Sequence, residues 1–289
     1  MINDLLNEID SSLTKFIDGL PDIQKRIYEK LLLLLKDLDL YSDGSIKNNL
    51  ANIQKIGKLK SELEKIILDK PYLKSVGTLL GSYEIIQEIQ NEYFSTITTD
   101  FTPKKVFDVV KDQAIDQTAE GLTESGINAN VIDPIKAILK TNITSGGSYA
   151  DLAQQLRDEI IGNDEVDGKL LSYARTYATT AVNEYSAQYT KIVTDDLGME
   201  WFRYVGSLRK TSRPFCIALV EKDYVHVSEI PEIVKGHIDG KDVSLAGLKD
   251  GTDANNFQVY RGGWNCNHQL SPVDKSRVPE KYIKNITGD

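Results

Sequence analysis

Gly262-Gly263-Trp264-Asn265-Cys266-Asn267-His268-Gln269-Leu270-Ser271-Pro272-Val273 closes the stretch of sequence on which the reading of this chain turns. The stretch opens at Trp201, Phe202 and Tyr204 and passes through Thr211-Ser212-Arg213-Pro214-Phe215-Cys216. Both cysteines, all three histidines and both tryptophans of the 289 residues fall between Trp201 and Val273. The rest is mostly helical sequence rich in Leu, Ile, Lys, Glu, Asp and Asn. Two thiols near opposite ends of a loop-rich segment imply that those ends meet in space.

Working outward, the texture of the block is short strands, turns and brief helices. Glu200 to Val205 alternates as a strand does, Tyr224 to Val227 reads as extended, and Phe257-Gln258-Val259-Tyr260 is a further strand candidate. Phe215 to Val220 and Ser228 to Lys235 have helical character, and Asp239-Gly240-Lys241 and Asp250-Gly251-Thr252 are turns. Ahead of the block, Leu170, Leu171, Ala174, Tyr177, Ala178, Ala181, Tyr185 and Tyr189 recur at helical spacing. Ser148 with Asp151 forms a capping-box-like start for a helix over Tyr149 to Ile161.

The first half consists of amphipathic helices. Leu5, Leu6, Ile9, Leu13, Phe16, Ile17 and Leu20 form one stripe, stopped at Pro21. Ile23, Ile27, Leu31, Leu34, Leu35 and Leu38 form a second, ending at Ser42-Asp43-Gly44. A third, from Ser45 to about Leu68, places Ile46, Leu50, Ile53, Leu63 and Ile67 inward, and Asp69-Lys70-Pro71 breaks it. A long helix over Tyr72 to Thr96 contains Gly77 and Gly81, which are tolerated if another helix packs close. Thr102-Pro103 and Asp133-Pro134 each read as an N-cap followed by proline, the first placing Val106, Val109, Val110 and Ile115 on a helix. The stripes shift at every break, so the pattern is a bundle of short helices and not a coiled coil.

Thr144-Ser145-Gly146-Gly147-Ser148 is the clearest linker. The expected organisation is α+β: a helix-bundle region over 1–145, then a small C-terminal domain over 146–289, with helices over 148–196 and strands and loops over 199–275.

Apolar residues make up 40% and charged residues 27% of the chain, as in a soluble globular protein. No apolar run approaches the length of a membrane span. Two cysteines cannot frame a chain of this size with disulfides, so the expectation is folding in a reducing compartment. The net charge of −9 is evenly spread, with 17 Lys and Arg against 22 Asp and Glu over 1–145, and 17 against 21 thereafter. Neither half is basic, which points to protein partners ahead of nucleic acid.

Over about 150–275 the chain sets out, in order, Ala174-Arg175-Thr176 through Asn183, then Gly198-Met199-Glu200-Trp201, then Thr211-Ser212-Arg213-Pro214 with Cys216. Trp264-Asn265-Cys266-Asn267-His268 and Leu270-Ser271-Pro272 complete the series. This order resembles the phage Mu F-like head morphogenesis proteins, minor capsid proteins of tailed phages. Asn267 stands where the family has a basic residue and His268 where it has a second cysteine, and the family's Asp-Gly after the Arg-Pro element is missing. The resemblance implies a role in head assembly within the virion, inside the capsid at the portal vertex, after assembly in the host cytoplasm. The implied partners are the portal protein and the major capsid or scaffold protein, with genomic DNA as a further contact and no membrane. The alternatives are a virion-carried effector enzyme, of nuclease or transferase type, and an internal DNA-binding protein.

Chemically, Cys216, Cys266 and His268 are three soft or borderline donors, and a Cys-x-His pair can present both donors on one face of an extended segment. His226 or His237 would complete a four-coordinate, zinc-like structural site. Two other readings stand beside it: buried free thiols packed as small hydrophobes, and a disulfide formed in an oxidising setting. A Cys/His nucleophilic pair lacks an orienting third group and an oxyanion turn in the sequence. Arg175 and Arg213 are expected to fix buried carboxylates ahead of binding phosphate, and Trp201 and Trp264 to anchor the core ahead of serving as stacking platforms for bases. Thr176 and Pro214 belong to the same motifs. No phosphate-binding glycine loop, metalloprotease helix or carboxylate cluster is present, and no cofactor beyond the metal is expected.

Overall fold

The computed structural model describes residues 2–287. In chain order the elements are α1 (Ile2–Asp18), α2 (Leu20–Leu35), α3 (Leu50–Ile67), α4 (Lys70–Ile97), α5 (Lys105–Thr123), the single turn α6 (Ser125–Ile127), a π-helical turn (Asn128–Ile132), α7 (Asp133–Ser145), α8 (Tyr149–Ile160) and α9 (Lys169–Leu197). There follow β1 (Trp201–Val205), α10 (Pro214–Lys222), β2 (Tyr224–His226), α11 (Ile230–Ile233), β3 (His237–Ile238), β4 (Lys241–Asp242), α12 (Phe257–Tyr260), β5 (Gln269–Pro272) and α13 (Glu280–Thr287). The fold is mixed and predominantly helical, with a smaller region of short antiparallel strands.

Two compact units are built from interleaved segments. One takes the residues up to Ser11, Ser82–Ile115 and everything from Thr179 onward; the other takes Ser12–Gly81 and Asp116–Ala178. The expected division at 145/146 does not coincide with this, because α4, α5 and α9 each supply residues to both units. Nor is 144–148 a linker. Gly146 caps α7 in the left-handed conformation (φ 69°), and Ser148 caps α8 by accepting from the Asp151 amide at 3.3 Å. The backbone there is pinned by Ile46 N–H to Gly147 O (2.9 Å) and Tyr149 N–H to Gly44 O (3.1 Å).

The helical unit is held by apolar stripes. Leu20, Ile23, Ile27, Leu31 and Leu35 of α2 are buried, as are Leu139 and Ile143 of α7 and Leu152, Leu156 and Ile160 of α8. α3 begins at Leu50, not Ser45, because the Asn49 side chain accepts from the Asn52 amide and caps it there. Its inward stripe is Ile56, Leu59, Leu63, Ile66 and Ile67, while Leu50 and Ile53 are exposed. Leu34 is likewise exposed. The Gly77 and Gly81 positions face open space, so close approach of another helix is not what they serve.

In the strand-bearing unit β1 is the centre of a three-stranded antiparallel sheet in the order β2-β1-β5. Its register pairs Phe202 with Val225 and Tyr204 with Leu270. Phe202 and Tyr204 alternate with exposed Arg203, so their face joins Phe215, Cys216, Leu219, Ile230, Phe257, Cys266 and Leu270 in one core. A second cluster gathers Phe94, Phe101, Phe107, Tyr189 and Val193. α5 begins at Lys105, two residues beyond the expected Thr102-Pro103 start, and buries Phe107 and Val110 while Val106 and Val109 remain exposed. β5 is buried along its length, and Tyr93 on α4 donates its hydroxyl proton to Pro272 O at 2.7 Å. Phe257 to Tyr260, expected as a strand, is the helical turn α12. Asp253 nucleates it by accepting from the amides of Asn255 (2.8 Å) and Asn256 (3.1 Å).

Candidate metal centre

The strand-bearing unit assembles the site from three places. Tyr204 points inward from β1. Cys216 lies in the first turn of α10, which starts where Pro214 follows the extended Arg213. Cys266 and His268 lie in the segment between α12 and β5. That segment turns sharply, with positive φ at Arg261 (45°), Gly263 (83°) and Asn265 (57°). Gly262 has to be glycine for a steric reason: a Cβ there would stand 2.4 Å from Cys216 Sγ and 2.7 Å from Cys266 Sγ. At Gly206 (φ 141°) a Cβ would come within 2.9 Å of His268 Cδ2.

The two ends of the block therefore do meet. The donor atoms of Cys216, Cys266 and His268 all lie within 4.8 Å of one another, and all three residues are buried. Both cysteines are free thiols. Cys266 Sγ is 3.7 Å from His268 Nδ1. The Tyr204 hydroxyl donates to Cys216 Sγ at 3.6 Å and lies 3.7 Å from Cys266 Sγ, and its ring stacks on the His268 imidazole at 5.2 Å between centroids. His268 Nε2 is buried without a hydrogen-bond partner.

His226 and His237 do not join this group. His226 caps the 3₁₀ turn Val227–Glu229: its Nδ1 accepts from the Ser228 amide at 3.3 Å, and its own amide donates to Glu229 Oε2 at 2.8 Å. Its ring packs on Trp201 and its Nε2 lies 3.6 Å from Glu200. His237 is exposed and pairs with Asp242 across β3 and β4. The expected fourth donor from this pair is thus corrected. A histidine committed to a helix cap and an aromatic contact is not free to turn inward.

A buried cation accompanies the cluster: Arg261 is 1% exposed. Its guanidinium donates to Gln269 Oε1 and to Asn183 O (2.7 Å), both neutral acceptors, and its Nε has no partner. The hydrogen bond from Cys216, then His268 and Arg261, holds the Cys266 thiol well below the usual range against the opposing pull of burial. Cys216 is pushed up by that same hydrogen bond and by burial. The two sulfurs titrate as a coupled pair, and a charge on one opposes a charge on the other. Burial, with the two sulfurs beside it, raises the Tyr204 phenol far above its ordinary value.

The other motif residues divide. Arg213 straps the Cys266 segment by donating to Gly262 O (2.8 Å) and Trp264 O (2.7 Å), carbonyls in place of the expected carboxylate. Asn183 on α9 accepts from Gln269 Nε2 at 3.0 Å, tying α9 to the start of β5. Trp201 is buried as expected. Trp264 is 48% exposed and carries Lys249 4.2 Å above its ring, so it is a surface residue and not a core anchor. Arg175 lies in the other unit and pairs with exposed Asp167 at 2.5 Å, a surface ion pair where a buried carboxylate was expected. Thr176 is half-buried on the same helix. Sequence reasoning missed Arg261 and the approach of Tyr204 to both sulfurs. The signal for Arg261 was a lone basic residue directly before Gly262-Gly263, in a block whose other arginines stand in turns or on an exposed strand face.

Three buried donors at these separations can coordinate a metal ion. Comparisons with protein-family models, with curated proteins and with solved structures find no match to this chain.

Proposed function

We propose that this chain is a structural protein of a tailed-phage head, a minor capsid or head morphogenesis protein that works at the portal vertex inside the capsid. In this reading Cys216, Cys266 and His268 hold a structural zinc ion that locks the strand-bearing unit. One observation carries it: the pieces of the Mu F-like resemblance from Asn183 onward are mutually bonded. Asn183 engages Arg261 and Gln269, Arg213 clamps the Gly262 and Trp264 carbonyls, and Cys216 meets Cys266 and His268. Pieces in that order have a physical reason to occur together if they build one module, and none if they match by chance.

The helical unit supplies surface for docking. Leu33, Leu34, Leu40, Tyr41, Leu50 and Ile53 are exposed apolar residues on α2, on the start of α3 and in the connection between them. On a ring of identical partners such contacts gain by avidity. The portal protein is the first partner in this reading, with the major capsid or scaffold protein and packaged DNA as further contacts. The test is co-purification with a portal protein of the genome that carries this chain, at low and moderate salt. Retention at both supports the reading, and failure to associate with portal or procapsids at either contradicts it.

The effector-enzyme alternative is separated by variants at the site. Cys216→Ala, Cys266→Ala and His268→Ala lower thermal stability if the site is structural. If it is catalytic, they leave stability nearly intact and abolish an activity. An internal DNA-binding role would show affinity that falls steeply with salt.

A further inference from the structure

We infer that Tyr204 is the fourth ligand of the metal centre, bound through its phenolate oxygen, and that buried Arg261 is the counter-charge for the resulting anionic complex. This rests on the metal reading proposed above and assigns the coordination position that His226 and His237 leave open.

Geometry gives the first argument. With metal–sulfur bonds of about 2.3 Å and metal–nitrogen or metal–oxygen bonds of about 2.0–2.2 Å, donor atoms at the corners of a tetrahedron stand roughly 3.4–3.8 Å apart. Cys266 Sγ to His268 Nδ1 is 3.7 Å, and Tyr204 Oη is 3.6 Å from one sulfur and 3.7 Å from the other. Against both sulfurs the phenol oxygen therefore stands at the spacing of a tetrahedral corner. Stacking on His268 and pairing of β1 with both its neighbours hold it there.

Charge gives the second. A fully buried guanidinium needs an anion or a large desolvation cost stands uncompensated. Arg261 has only neutral hydrogen-bond partners, Gln269 and Asn183 O. Through space it feels first the Cys266 sulfur and the Tyr204 oxygen, the cluster itself, and then Glu184, which is ion-paired with Lys249. Two thiolates neutralise a zinc dication and a neutral imidazole adds nothing, so a centre built of Cys216, Cys266 and His268 alone leaves Arg261 unbalanced. A phenolate at the fourth corner makes the complex singly anionic, and the buried group as a whole becomes neutral. On metal entry the thiol protons still held by the cysteine pair and the Tyr204 hydroxyl proton leave to solvent, and the donor oxygen and sulfurs form the new bonds.

The test uses full-length reduced protein, stripped of metal and titrated with zinc while the ultraviolet difference spectrum is recorded. Affinity is read by competition with a chromophoric chelator. The chain holds 14 tyrosines. The wild type is expected to gain a tyrosinate signature equivalent to one of them, rising in step with zinc and saturating at one zinc per chain. Tyr204→Phe keeps the stacked ring and is expected to bind one zinc at least about tenfold more weakly, without that signature. Zinc uptake by the wild type with no tyrosinate signature overturns the Tyr204 assignment and leaves the three-donor reading standing, as does an unchanged affinity in Tyr204→Phe. No zinc uptake by the wild type overturns both. If the variant fails to fold, the wild-type spectrum alone decides.

Discussion

The helical unit and the strand-bearing unit reach order by different means. In the first, Leu20, Ile27, Leu31, Leu139, Leu152 and Leu156 are buried stripe residues whose contribution is area removed from water, spread over many similar contacts. In the second, a few residues of unlike chemistry meet at one point: two thiols, an imidazole and a phenol, with a buried guanidinium acting through space. Distributed apolar packing degrades gradually when one residue is changed. A concentrated polar knot is lost as a whole when one member is removed.

That contrast sets the expected effects. The largest is metal removal. Structural zinc sites contribute on the order of 10 kcal/mol to the folding of small peptides, so chelation should cost the strand-bearing unit several kcal/mol and the helical unit nothing. Calorimetry with and without chelator should resolve one transition that shifts and one that does not; equal shifts would erase the distinction between the units. Next comes Leu156→Ala in the helical unit, where Leu156 is 0% exposed. It should cost about 2–5 kcal/mol by urea unfolding, to the same extent with and without chelator.

A third comparison uses two arginines that the sequence placed on equal terms. Arg213→Met removes two hydrogen bonds to carbonyls of the Cys266 segment and should cost about 1–3 kcal/mol. Lysine should not rescue it, since one ammonium cannot span both carbonyls in the same way. Arg175→Met removes one exposed ion pair and should change stability by less than about 0.5 kcal/mol. If the two variants behave alike in thermal melts, the strap assigned to Arg213 is wrong.

The smallest effect is a slope in pH, within the helical unit. Burial pushes the Asp69 carboxyl up, but hydrogen bonds from Arg26, Lys30 and the Tyr72 amide outweigh it and hold the group below its usual range. A depressed carboxyl contributes stability that is complete above its unfolded pKa, about 3.9, and is lost as pH falls through the folded value. Asp69→Asn should therefore flatten the acid limb of stability below about pH 4 relative to wild type. An unchanged limb would show that other carboxylates set it.

How much of this was legible in the sequence follows the same contrast. Stripes repeat, so the helices of the first half could be read from Leu and Ile spacing, as could the strand at Trp201 and the convergence of Cys216 with Cys266 and His268. Errors clustered where local chemistry overrides pattern. Asp253 turned Phe257 to Tyr260 into a helix, Asn49 moved the start of α3, and the Gly146 and Ser148 caps made a tight turn out of an apparent linker. The site was half visible. Cysteine and histidine announce themselves by rarity, whereas Tyr204 is one of 14 tyrosines and its role depends on which strand face meets the sulfurs. Arg261 was hidden because a buried cation is recognisable only once its surroundings are known.

The most direct test of the central claim is elemental analysis of the purified, reduced, full-length protein, paired with titration of its thiols before and after chelation. The account predicts one zinc ion per chain, with Cys216 and Cys266 unreactive until the metal is withdrawn and both reactive afterwards. Protein free of transition metal, with both thiols titrating at once under native conditions, would contradict it.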